Sequence, residues 1–260
     1  MKFEVAFIAV WFALLPMASA EEWTKSWNVG AQPELRVEAG DGSITIEKGR
    51  TGVIEAKLVT EGYKIGYDGI QVIEHQTGDH VDIRLKEPSG HFSWHSHSIR
   101  LHIQAPEQLN AIAKTGDGSI ILRGVRGSLR VETGDGSIQG SELGGGLDAH
   151  TGDGSMRISG TFDDLRLRTG DGSIQLDALP GSQMHSNWEL HSGDGSISMK
   201  LPKNLAAELL MRTGDGHIHS DLPLTVNDIR SQHEVRGKLN GGGMLLSIHT
   251  GDGSISVGSI

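Results

Sequence analysis

The chain contains no cysteine. Disulfides, thiolate metal sites, thiol catalysis and a lipidated N-terminal cysteine are thereby excluded, so backbone ladders and core packing must hold the fold together. Aromatic residues are scarce, at 5% of 260, and hydrophobic residues reach only 36%. That stock fits a thin core of small and aliphatic side chains better than a bulky sandwich interior. Basic residues are outnumbered, 23 Lys and Arg against 33 Asp and Glu, for a net charge of −10. Such a balance argues against nucleic acid or an anionic membrane surface as the partner.

Long apolar runs are missing except at the N-terminus, where Lys2 precedes a stretch from Val5 to Leu15, followed by Pro16 and then Ala18-Ser19-Ala20. The stretch is short for a bilayer span, and the small residues fit a signal peptidase site. Residues 1–20 are expected to be a signal peptide, although Glu4 is unusual in such a leader; a retained anchor is the alternative. Cleavage would leave no transmembrane segment and place residues 21–260 in the periplasm, on the outer surface or in the medium. Losing Lys2 and Glu4 together leaves the net charge unchanged.

Glycine, by contrast, is abundant at 37 residues, and much of it is periodic. Gly-Asp-Gly occurs around Asp41, Asp117, Asp135, Asp153, Asp171, Asp194, Asp215 and Asp252. From Asp117 to Asp171 the copies lie 18 residues apart, and later spacings are 23, 21 and 37. Aligned on TGDGSI, the columns alternate. Ile44, Ile120, Ile138, Met156, Ile174, Ile197, Ile218 and Ile255 close the hexapeptide, and Ile46, Leu122, Ile158, Leu176 and Met199 follow two residues on. Leu35/Val37, Leu129/Val131, Leu147/Ala149 and Leu165/Leu167 precede it. Period-two spacing is that of a strand with one buried face. Each copy therefore carries a strand entering and a strand leaving a tight turn.

Helical periodicity is weak. Even Pro202–Leu209, superficially helical, joins two copies and reads as loop then strand. The turn composition predicts positive φ at the glycines and aspartates bonded to backbone N–H groups and to the neighbouring Thr or Ser hydroxyl. No copy can bury its face alone, so copies must stack. The predicted fold is all-β: a parallel β-solenoid over residues 21–260, with irregular strands over 21–113, repeat coils over 114–260, and a hairpin capping the open end in the insertion before the last copy.

The order of landmarks carries a resemblance. Scattered strands lead into SIRLHIQAPEQLNAIAKTGDGSIIL, then a run of TGDGSI copies, MKLPKNLAAELLMRTGDG and GKLNGGGMLLSIHTGDGSISV. This resembles the toastrack-type β-strand-repeat family, often labelled adhesins of the bacterial envelope, over nearly all of residues 21–260. The resemblance implies an extracytoplasmic single-chain solenoid, often near envelope-stress systems, with no established activity and no catalytic residues.

Three groups of residues invite a chemical reading. Stacked aspartates, best represented by Asp135, Asp153 and Asp171, could hold a row of calcium ions. Known calcium solenoids place their aspartate differently and repeat it every nine residues, and here Lys114, His150, Arg168, His191, Arg212 and His249 supply fixed or titratable cations one residue before the motif. A structural column is the favoured reading. His91, His95 and His97 in GHFSWHSHSIRLHI, with His102 beyond, offer imidazoles for zinc but no carboxylate or cysteine at a diagnostic spacing; His217 and His219 form a weaker pair. Phe92 and Trp94 in the same loop could stack on a sugar.

Catalysis needs one unique constellation, whereas the serines recur in near-identical copies and adjacent Asp163 and Asp164 should point to opposite faces of a strand. The chain is thus expected to be no enzyme and to need no cofactor. It is read as a structural, adhesion-like or interaction module whose partner is an envelope protein or surface polymer. A calcium- or glycan-binding solenoid is the alternative, and a carbohydrate-active enzyme the less favoured third.

Overall fold

The computed structural model describes residues 20–88, 97–231 and 233–260. Among them are 21 strands and no helix, joined in one mixed sheet. The alternating columns form the strands. Arg126–Thr133 enters the Asp135 turn, Ile138–Thr151 runs from that turn into the next, and Met156–Thr169 does the same one copy on. These strands pair in parallel with like positions in register: Leu129 with Leu147 and Leu165, and Ile138 with Met156 and Ile174. Ile138, Met156 and Ile174 are 0, 1 and 1% exposed. Burying each column against its neighbours is the principal apolar gain, about 1.5–3 kcal/mol per large aliphatic side chain.

The copies do not stack in chain order. Near the N-terminus, Glu34–Glu38 lies between His80–Lys86 and Asn110–Thr115, and Ser43–Lys48 between Ser98–Ala105 and Ile120–Arg123. The Asp41 copy is therefore second in space, inside a segment that lacks the motif. At the other end, Leu245–Thr250 lies between Trp188–Ser192 and Ala207–Thr213. The final copy thus inserts between the Asp194 and Asp215 copies.

Antiparallel strands flank both ends. Val53–Glu61 lies on Ser98–Ala105, Ala20–Asn28 lies on Val53–Glu61, and Gln71–Thr77 lies on His80–Lys86. Glu234–Leu239 lies on Ala207–Thr213 with Thr225–Ser231 beyond. The expected hairpin is this last pair, and it covers the Asp215 copy, not the final one. Pairing of this kind satisfies backbone groups that an open edge would leave bare.

The turns correct a second expectation. None of the motif glycines has φ in the left-handed range. Their role is close approach: a Cβ at Gly136, Gly154 or Gly172 would lie 2.0, 1.9 or 2.0 Å from the glycine carbonyl oxygen of the preceding copy. Backbone N–H groups bridge the same gap, Gly134 to Gly116, Gly152 to Gly134 and Gly170 to Gly152, each at 2.6 Å. Glycine is required because two turns touch.

Candidate functional site

Groove geometry is set by what the outward face of the stack lacks. Gly145 and Gly146 leave a gap in the side-chain cover, and Gly127 and Gly145, paired across strands, both have positive φ, 139° and 89°. The result is a groove of about 850 Å³ that runs across the strands. It passes from His80 over Glu34–Arg36, Asn110–Ile112, Gly127–Arg130, Gly145–Asp148 and Asp163–Arg166 to Ser186 and Asn187. From the first of its six strands to the turn at Asn187 there are six steps of about 4.8 Å, which make it roughly 29 Å long.

Toward the Asn187 end it is shaped by a β-bulge. Gly145 pairs with Phe162 and Gly146 with Asp164, leaving Asp163 without a partner in the ladder. Phe162 and Leu165 are both buried, so the two residues between them are left on the outer side and line the groove together. The expectation that Asp163 and Asp164 face opposite ways is therefore wrong, because an inserted residue resets the alternation. The bulge is firmly held. The buried Trp188 indole N–H donates to the Asp163 carbonyl at 3.1 Å, as does the His185 N–H at 3.0 Å, and the Phe162 N–H donates to Ser182 Oγ at 3.1 Å.

Most groove charges have partners. Arg130 lies 3.4 Å from Asp148, Arg166 3.7 Å from Glu189 and His80 3.0 Å from Glu34. Arg36 donates to Glu38 from Nε at 3.0 Å, and that bond holds the Glu38 carboxyl below its usual range. Asp163 and Asp164 have no ion pair among the described residues.

A second outward column runs Lys114, Glu132, His150, Arg168, His191, His249, Arg212 and Glu234 in register. The rings of His191 and His249 stack at 5.2 Å and 12°. Partial desolvation, then the charges of His191 and Arg212, hold His249 below the ordinary imidazole range.

The aspartates singled out from sequence, Asp135, Asp153 and Asp171, lie exposed on successive turns. Their expected Thr hydroxyl bonds are not formed, because each hydroxyl donates to a glycine carbonyl of the neighbouring copy: Thr151 to Gly136 and Thr169 to Gly154, both at 2.9 Å. Among the described residues, no group of three or more His, Asp or Glu is placed to hold a metal. His97 packs its ring 4.3 Å from Tyr63, whereas His102 lies 2.9 Å from Glu47 on another strand. His219 lies 2.9 Å from Asp221, and the His217 N–H donates to Ser254 Oγ at 3.2 Å. His91 and His95, like Phe92 and Trp94, lie outside the described residues. Sequence reading missed the groove residues Asn110, Gly146 and the outward Asp163–Asp164 pair. A signal was present: two polar residues between Phe162 and Leu165 break the alternation.

These features define an all-β protein of stacked glycine turns with a long groove of mixed polar and apolar lining. The chain belongs to the Toastrack DUF4097 family, which matches residues 31–258. No curated protein matches it. Among solved structures it is similar to a putative adhesin from Bacteroides fragilis, at 15% identity over 94% of this chain and 99% of that one, with a TM-score of 0.52. It is also similar to a putative adhesin from Parabacteroides merdae, at 13% identity, 91% and 96% coverage and a TM-score of 0.47. A putative lipid binding protein from Parabacteroides distasonis matches at 12% identity, 91% and 96% coverage and a TM-score of 0.41. At such identities the likeness concerns fold alone.

Proposed function

We propose that this chain is an exported, non-enzymatic adhesion-like module, a parallel β-solenoid that engages a surface polymer or envelope protein through the groove. On this reading residues 1–20 are a removed leader and 21–260 one solenoid unit. Family membership and a fold shared with a putative adhesin support the class. The observation that carries the reading is the groove itself: it crosses six strands, and its polar groups are spread along them instead of converging on one reactive constellation. Such a surface suits an elongated partner held by many weak contacts.

Gly146 allows a direct test. A Cβ there would meet nothing closer than Asp164 at 3.7 Å, so the backbone accepts a side chain that fills the groove. The purified protein should bind envelope material from the organism that makes it, and Gly146→Trp should weaken that binding at least tenfold while leaving the unfolding midpoint unchanged. Equal binding by a folded Gly146→Trp protein sinks the reading.

A further inference from the structure

We propose that the groove's occupant is a neutral, hydroxyl-rich polysaccharide lying across the strands; this deepens the groove reading and rests on it. Charge comes first. The lining contributes three guanidinium groups and four carboxylates, interleaved along the length. A polyanion or polycation laid along it would meet attraction and repulsion in turn, with no net field to bind it.

The occupant's backbone chemistry is constrained as well. An extended peptide is usually taken up at a sheet edge, where free N–H and C=O groups complete a ladder. This groove crosses the sheet face instead, where the strands beneath it are already paired on both sides. Recognition is left to side chains.

Those side chains suit hydroxyls. Asp163 and Asp164 only accept hydrogen bonds and the guanidinium of Arg166 only donates, while Asn110, whose Oδ1 already accepts from the Ser128 N–H at 3.0 Å, turns its NH2 to donate; a sugar hydroxyl can answer all of them because it donates and accepts at once. The bulge turns both carboxylates outward beside Gly146, where the missing side chain lets a ring approach the backbone. The leucines under the groove, Leu35, Leu129, Leu147 and Leu165, are only 1–3% exposed, so Ile112 is left as the one part-exposed large apolar side chain of the lining, too little to receive an acyl chain. The strands beneath the groove recur about every 4.8 Å, which offers an elongated polymer evenly spaced contacts.

The test uses polysaccharide and protein fractions of the envelope from the organism that makes the protein, the polysaccharide separated into neutral and charged pools by ion exchange. The full-length purified protein should bind the neutral pool. Periodate, which cleaves vicinal diols, should abolish binding, and proteinase K treatment of the pool should not. Gly146→Trp, and separately Asp163→Asn combined with Asp164→Asn, should each weaken binding at least tenfold with unchanged unfolding midpoints.

Binding confined to the charged pool, or binding destroyed by proteinase K and not by periodate, overturns the polysaccharide assignment. If Gly146→Trp still blocks such binding, the groove reading survives alone. Binding to any fraction that Gly146→Trp leaves intact, or no binding to any fraction, overturns both.

Discussion

The hydroxyl of Thr169 donates to the carbonyl oxygen of Gly154 at 2.9 Å, one copy away, and accepts from the Gly172 N–H of its own turn at 3.2 Å. Thr151 repeats this with Gly136 and Gly154, and Thr213 with Gly253 and Gly216. The threonines are buried, so each hydroxyl links the turns away from water. Thr151→Val, nearly isosteric, should destabilise by about 1–3 kcal/mol through the groups left unpaired, read by denaturant unfolding. Ala39 supplies the internal control. The segment outside its copy has no Gly-Asp-Gly turn, and the Asp41 N–H bonds Glu87 instead at 2.8 Å. Ala39→Thr should therefore bring no stabilisation.

Within one turn, neighbouring positions should respond oppositely. A Cβ at Gly154 lies 1.9 Å from a backbone oxygen that cannot swing aside, so Gly154→Ala should cost at least the roughly 1–3 kcal/mol typical of overpacking. Asp153 is exposed beside it, and Asp153→Asn should change stability by less than about 0.5 kcal/mol. A mild Gly154→Ala would show that the copies separate more easily than the close contact implies.

These turns also show how far the sequence was legible. The columns through Ile138 and Leu129 could be read because burial on one face imposes period two on the residues themselves. The parallel register followed, since like turns align like side chains. The reason for the glycines could not be read, because positive φ and close approach select the same residue. The stacking order at the ends was hidden for a related cause: the Asp194, Asp215 and Asp252 copies carry nearly the same local signals, so nothing local says which pairs with which. The groove depended on Asp163, and there the broken alternation was visible but its consequence lay in the partner strand's glycines.

Arg130, Asp148 and Arg166 stand in register and alternate in charge. The Arg130 side chain is 63% exposed and that of Asp148 35%, so the pair should be worth about 0–1 kcal/mol and fade with salt. Asp148→Lys places three cations in a row and should destabilise more at low ionic strength than at high. Destabilisation that does not respond to salt would assign the effect to packing.

Acid should weaken the C-terminal half of the stack through His249. Its folded-state proton affinity is held below the ordinary range, so the unfolded chain binds the proton more readily. The stabilisation is present above the ordinary imidazole pKa of about 6.5 and is lost as pH falls. The groups that face it point the same way. His191 and Arg212 flank it, Arg168 lies beyond His191, and the nearby carboxylates Glu189 and Glu234 are engaged by Arg168 and Arg212. His249→Gln should flatten the decline in unfolding free energy between pH 7.5 and 5. An unchanged slope would place the sensitivity elsewhere.

Calcium separates a structural aspartate column from a metal-binding one. An ion bound only to the folded state adds RT ln(1 + [L]/Kd), about 2.7 kcal/mol at a hundredfold excess over Kd, and several sites multiply that. Carboxylates about 4.8 Å apart along the turns repel by roughly 1 kcal/mol per neighbour when exposed to water, a cost that Thr hydroxyls and glycine ladders can offset without an ion. Asp135, Asp153 and Asp171 are all exposed, so their repulsion stays near that lower, solvent-screened value. EDTA should therefore leave the melting temperature unchanged, and millimolar calcium should raise it by no more than about 2 °C, less than 1 kcal/mol for a chain of this size. A rise several times larger that Asp153→Asn removes would make these turns a metal ladder.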